Sequence, residues 1–179
     1  MRLTAAQASQ VADEIKQLEN LFEGAEASVA MLIRRRQQGY RPPFHLLDFK
    51  VVVEDRMGRG ITAEATVKVE VDGQVLHTVA EGNGPIDALD GALRKALVPL
   101  FPQLEQFRLA DYKVRILDSK KGPAATTRVL IDSQNGTRRW TTVGASPNII
   151  EASYRALADS FEYGITEVAY ASHGRCFTG

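Results

Sequence analysis

The segment LDFKVVV at 47–53 returns as ADYKVRI at 110–116, and any fold for this chain must accommodate that repetition. Each copy is followed by an alternating stretch, a tight turn at Asp72-Gly73 or Asn135-Gly136, a further strand, a Gly-x-x-Pro step (Gly82 to Pro85, Gly144 to Pro147) and an amphipathic helical run. The spacing is 63 residues at the first strand and the turn and 62 at the Gly-x-x-Pro step, which reads as a one-residue loop deletion. Two copies of this length are too few and too long for a solenoid. The expectation is one pseudo-symmetric domain built from duplicated halves, with function sought along the axis that relates them.

The pattern inside each copy sets the fold class. From Ile61 to Val71 every odd position is apolar and every even one polar, as in a strand with one buried face. Asp72-Gly73 supplies the positive φ angles of a two-residue hairpin, returning the chain through Gln74–Ala80. Pro85 opens a helix with Ile86, Leu89, Leu93, Ala96 and Leu97 on one stripe, and Pro99 ends it. The second copy predicts strands near 107–117, 125–133 and 138–143, then a helix from Pro147 carrying Ile150, Tyr154, Leu157 and Phe161. The sum is an α+β fold of two βββα units, repeats 47–98 and 110–162, with helices packed on antiparallel sheets.

Ahead of them, Thr4 and Gln7 form a capping-box pair, and Val11, Ile15, Leu18 and Phe22 keep helical spacing until Gly24. Val29, Leu32 and Ile33, stopped by Gly39, predict a second helix at about 26–37. Pro42-Pro43 cannot continue it, so a short helical subdomain is expected over 1–40 and the main domain over 41–164. The tail 165–179 shows no clear period and stays unassigned.

Composition excludes several functions. Lysine plus arginine balance aspartate plus glutamate at 22 each, so no global field holds nucleic acid or an anionic membrane. The cluster Arg34-Arg35-Arg36 closes a helical run, where cations favour the carbonyl end of the dipole. The single cysteine, Cys176, excludes an internal disulfide and suits a reducing compartment. With no signal-like start and no membrane-length apolar run, the expected location is the cytoplasm.

No nucleophile elbow, phosphate loop, dinucleotide fingerprint or paired metal-ligand spacing is present. His173 and Cys176 have the spacing of half a metal site, but structural zinc wants four ligands, and His45 and His77 lie far off in sequence. The two Gly-x-x-Pro helix starts offer unpaired amides that suit a carboxylate or phosphate. They fit equally as plain strand-to-helix turns capped by Asn83 and Ser146.

Three ordered stretches, EGNGPIDALDGALRKAL (81–97), LADYKVRILD (109–118) and TVGASPNIIEASYRAL (142–157), resemble the C-terminal regulatory domain of the 2-isopropylmalate synthase family. GAEAS (24–28) and the link into FHLLDFKVVVEDR are most similar to its citramalate synthase branch. The resemblance implies a fragment: parent enzymes condense acetyl-CoA with a 2-keto acid on a barrel that precedes these residues and requires a divalent metal, with no cofactor expected in the fragment itself. It implies a homodimer that binds an end-product amino acid at its interface, isoleucine for a citramalate synthase and leucine for a 2-isopropylmalate synthase. It also implies an effector site at Gly84, Ile86, Asp87, Leu109, Tyr112, Ile116, Ala125 and Ile149.

On chemical grounds Ile86, Leu109, Ile116 and Ile149 could form an apolar slot, helix-start amides could hold a carboxylate, and Asp87 could pair with an ammonium group. The loop from Asp118 to Ala125 departs from the family's pattern, and Asp87 stands where the family often has an uncharged residue. Two other readings compete: a dimerisation module insensitive to amino acids, and a sheet that binds RNA, which neutral charge and a single tryptophan disfavour. No catalysis is expected from the fragment.

Overall fold

The computed structural model describes residues 4–17, 22–58, 60–117, 125–136 and 138–173. The elements run α1 (Ala5–Gln17), α2 (Glu26–Arg35), β1 (His45–Arg56), β2 (Gly60–Val71), β3 (Gln74–Gly82), α3 (Pro85–Leu97), a 3₁₀ turn (Pro102–Gln106), β4 (Arg108–Ile116), β5 (Thr127–Gln134), β6 (Arg139–Ser146) and α4 (Ile149–His173). The chain divides into two compact units, residues 43–105 and residues 1–42 with 106–179. Each contains a three-stranded antiparallel sheet in sequence order and the helix that follows it, so the fold is α+β with two βββα repeats.

In the first unit β2 buries Ala63, Ala65, Val67, Val69 and Val71, as its alternation requires. Asp72 at φ 49° and Gly73 at φ 80° make the expected two-residue turn. Helix α3 buries Ala88, Leu89, Ala92, Leu93, Ala96 and Leu97 against the sheet. Each of the three leucines contributes about 1.5–3 kcal/mol by leaving water. Ile86 is only half-buried, one turn short of this stripe.

The second unit packs α4 on β5 and β6. Helix α4 runs 25 residues, well past Phe161, so residues 165–173 of the unassigned tail are helical. The apolar period fades because the inward face changes partner: Glu162, Thr166 and Glu167 meet α2 instead of the sheet. Arg34 bonds Thr166 and Glu167, while Arg35 bonds Glu162 and reaches Asp159 at 2.6 Å. The arginines thus sit in the last turn of α2, as the dipole argument has it, and also clamp α2 to α4. At its other end α2 covers the free edge of β6, where Glu26 accepts from the Thr141 amide at 3.0 Å and Ser28 from the Val143 amide at 2.9 Å. The Thr4 and Gln7 capping box forms reciprocally at the start of α1.

The repeat is deeper in the structure than in the sequence. β1 slips register between Leu46 and Asp48 and β4 between Leu109 and Asp111, so both copies carry a bulge at the same place. Beyond it, Phe49–Val67–Thr78 and Tyr112–Ile131–Thr142 are matching cross-strand rows. Thr78 donates to the Ala92 carbonyl and Thr142 to the Ala156 carbonyl, each at 2.7 Å.

The offset between copies is therefore 63 at the first strand and 64 from the second onward, not the 62 expected at the Gly-x-x-Pro step. Pro85 is the first residue of α3, but Pro147 precedes α4, which starts at Ile149. The Asn135 amide bonds the Arg138 carbonyl at 3.0 Å, so Asn135 flanks its turn while Gly136, at φ 80°, lies within it.

Candidate functional site

In the first unit the expected residues Gly84, Ile86 and Asp87 gather at the start of α3. Gly84 is the N-cap, extended, with no side-chain cap and nothing within 4 Å of where a Cβ would stand. Asn83 is not the cap expected from its type. Its own amide donates to Asp87 Oδ2 at 2.9 Å, and its Nδ2 to the same oxygen at 3.4 Å. Asp87 thus reaches back to the residue before the N-cap, not to the N-cap amide as in a capping box.

In the second unit Leu109, Tyr112 and Ile116 stand opposite Ser133, Ile131 and Thr127. These partners share one face of β5, so the bulge at Ala110 turns Leu109 onto the face of Tyr112 and Ile116. Simple alternation from 109 to 116 would have placed it on the other side. Ala125 is buried, and the strand pairing extends towards it through the Leu117 amide and Thr126 carbonyl, 2.9 Å apart. The preceding loop residues 118–124 lie outside the described residues. Ile116 is 58% exposed and Ile149 42% exposed.

Ser153, which the sequence reading missed, ties Tyr112 to Ile149. Its hydroxyl donates to the Ile149 carbonyl at 2.7 Å and lies 2.7 Å from the Tyr112 hydroxyl. The signal emerges only at the offset of 64 that the strand pairing fixes, where Ser153 replaces Leu89, a polar residue on an apolar stripe.

The two helix starts differ. At α4, Asn148 Oδ1 accepts from the Ile150 and Glu151 amides at 2.9 and 3.4 Å. Ser146 accepts from the Asn148 amide at 3.0 Å and donates to Glu151 at 2.6 Å, so Asn148 is the cap and Ser146 its support. The Ser146 hydrogen bond and the Arg155 charge hold the Glu151 carboxyl below its ordinary pKa. The first turn of α4 thus has its own acceptors, while that of α3, without a side-chain cap, is the one open to an anion.

A partly buried ionic cluster joins α2 to α4. Burial raises the Asp159 pKa. Burial also opposes the charge of Arg35, but its hydrogen bonds and charge pairing with Glu162 and Asp159 outweigh this and hold its pKa above the ordinary value. Tyr40 donates to Glu162 at 2.7 Å, and burial together with that bond raises its pKa. Two cavities flank α4, one of 350 Å³ lined by Phe22, Leu32, Val143 and Tyr154 and one of 240 Å³ lined by Phe107, Trp140 and Tyr163. Neither is lined by an expected site residue. Among the described residues there is no group of three or more His, Cys, Asp or Glu able to hold a metal. His173 ends α4, and Cys176 lies outside the described residues. No helix among the described residues is long and apolar enough to cross a membrane.

Known proteins are similar to this chain in sequence. The (R)-citramalate synthase of Geobacter sulfurreducens is 48% identical over 86% of this chain and 30% of its own length. That of Synechocystis is 52% identical over 80% of this chain and 27% of its own. The 2-isopropylmalate synthase of Aquifex aeolicus is 32% identical over 72% of this chain and 22% of its own. The chain thus spans less than a third of the length of these relatives. The LeuA allosteric (dimerisation) domain matches residues 23–165, and the chain belongs to that family.

Proposed function

We propose that this chain is the feedback-regulatory and dimerisation region of a citramalate synthase, which condenses acetyl-CoA with pyruvate for isoleucine biosynthesis, and that it binds isoleucine at a homodimer interface. The higher identity to citramalate synthases than to a 2-isopropylmalate synthase supports the branch. The observation that carries the sensing role is the linked set Tyr112, Ser153 and Ile149, with Leu109 and Ile116 on the same strand face as Tyr112. It pairs an apolar wall for a branched side chain with a small polar group beside it, which is what an amino-acid pocket needs.

Dimerisation is supported by apolar side chains left exposed in each unit: Val53 and Ile61 in the first, Val114, Ile116 and Leu117 in the second. Condensation and its divalent metal are assigned to the part of the polypeptide that the relatives possess beyond this region. Effector binding regulates that part only if it favours one of two states.

Calorimetric titration with isoleucine and leucine tests the reading. Heat with isoleucine at millimolar concentration, abolished by Ile149→Asp, is expected; no heat with either amino acid sinks the sensing role. Heat with leucine alone would place the chain with the 2-isopropylmalate synthases, since the two effectors differ only in the position of a methyl group, worth about 1–3 kcal/mol in an apolar pocket. A dimer in sedimentation that ignores both leaves a pure dimerisation module.

A further inference from the structure

The proton arrangement at Tyr112 is fixed by its neighbours. The Ile149 carbonyl can only accept, so the one Ser153 proton goes to it across 2.7 Å. The Tyr112 hydroxyl, 2.7 Å from Ser153 Oγ, must then donate its proton to that oxygen. Its own oxygen keeps lone pairs and no proton, so any further partner has to be a donor.

The arrangement is specific to the second repeat. Ser153 is fully buried, and the corresponding positions of the first repeat hold Phe49 and Leu89, with no hydroxyl between them. Asp87, the group that charge alone suggests for an ammonium partner, already accepts from Asn83 just ahead of its helix.

We propose that the Tyr112 hydroxyl receives an N–H of the ammonium group of the bound amino acid, with Ser153 as the positioning residue that keeps this hydroxyl an acceptor. The inference rests on the effector reading above and names the group that tells an amino acid from its deaminated acid. A hydrogen bond to a charged donor is about twice as strong as a neutral one, so its loss is legible in affinity.

The test titrates wild type, Tyr112→Phe, Ser153→Ala and the double variant with isoleucine, leucine, 3-methylpentanoate and 4-methylpentanoate, after melting curves establish that each is folded. Wild type should prefer the amino acid to its deaminated partner by about tenfold or more. Tyr112→Phe should bring that ratio close to one. Ser153→Ala should lower it part of the way, because the freed hydroxyl can also donate, and the double variant should be no worse than Tyr112→Phe. A folded Tyr112→Phe that binds with the wild-type ratio overturns the inference and leaves the effector reading standing, as do single-variant effects that simply add. A wild type that binds neither amino acid overturns both.

Discussion

The two repeats share a backbone and differ in what they bury. In the first, Phe49, Val69, Leu76, Leu89 and Ala96 hold positions that the second gives to Tyr112, Ser133, Trp140, Ser153 and Ser160. The replacements come in bonded sets. Tyr112 meets Ser153, while the Ser160 hydroxyl lies 2.6 Å from Ser133 and accepts from the Trp140 indole at 3.0 Å. An unpartnered hydroxyl at such a site costs about 1–3 kcal/mol, so these positions had to change together. Among the described residues the one buried side-chain polar atom without a partner is Gln37 Oε1, outside both sheets. A duplicated scaffold thus takes up polar chemistry in whole networks, and the repeat that did so holds Tyr112 and Ser153.

The comparison breaks most readily at the glycines. Ala80 faces Gly91 in the first repeat, and the corresponding pair in the second is Gly144 and Arg155, so the residue without a side chain has moved from helix to strand. A Cβ on Gly144 would overlap the Ala152 carbonyl and stand 2.9 Å from the Ala156 nitrogen, all backbone of α4. Gly144→Ala should therefore destabilise by about 3 kcal/mol in urea unfolding. Gly91→Ala would place a Cβ 3.2 Å from that of Ala80, which can give slightly, while helix propensity improves by about 1 kcal/mol, so its net effect should stay within about 1 kcal/mol. A Gly144→Ala variant less affected than Gly91→Ala would refute the offset of 64.

The clamp between α2 and α4 has no counterpart in the first repeat, where Val98 stands at the position of Glu162. Glu162→Ala removes the partner of Arg35 and of Tyr40 at a buried position. The Arg35 side chain is 39% exposed and can rehydrate in part, so the expected loss is about 2–3 kcal/mol, below that for a fully buried pair. Amide exchange should rise in α2 ahead of α3, and exchange rising equally in both would deny that the clamp is local to the second unit.

A smaller effect separates Ala96 from Ser160. Ser160→Ala strands Trp140 and Ser133 and should cost about 1–2 kcal/mol. The reverse exchange, Ala96→Ser, buries a hydroxyl in an apolar stripe and should cost a similar amount, although it imitates the other repeat. If Ala96→Ser proves neutral, the polar positions are independent and the network argument fails.

The sequence carried the strands, the hairpin at Asp72-Gly73 and the two βββα units because period-two alternation and turn chemistry are local. It misplaced the second helix start because Gly-x-x-Pro is used twice in different ways: Pro85 begins a helix, and Pro147 stands before Asn148, the true cap. The end of α4 was hidden because Glu162, Thr166 and Glu167 look like surface residues until Arg34 and Arg35 are placed against them. At the candidate site, the family resemblance pointed to Leu109, Tyr112, Ile116 and Ile149. The bulge that brings Leu109 onto the face of Tyr112 and Ile116 and the buried Ser153 depend on cross-strand register and on the 64-residue offset, and neither is visible along one stretch of chain.

The smallest expected effect lies on the outer faces of the sheets, where the repeats invert a charge. Asp48 faces Lys68 in the first, 3.8 Å apart and exposed, a pair worth about 0–1 kcal/mol. In the second the facing residues are Asp111 and Asp132, two carboxylates opposite each other, reconciled by Lys113 and by Arg139 and Thr141 at 2.7 and 2.6 Å from Asp132. Burial alone would raise the Asp132 pKa, but the Thr141 and Arg139 hydrogen bonds and the nearby cations outweigh it and hold the pKa below the ordinary value. A depressed carboxyl pKa stabilises the fold above its unfolded value, about 3.9, and that stabilisation is lost as pH falls through the folded value. Wild type should therefore exceed Asp132→Asn in stability by about 1 kcal/mol at neutral pH, a modest figure because Lys113 and Arg139 are largely exposed. The gap should stay constant down to about pH 5 and shrink as pH falls through the folded value, whereas Asp48→Asn should show almost none at neutral pH. A gap that widens on acidification would mean that burial, not its partners, governs Asp132.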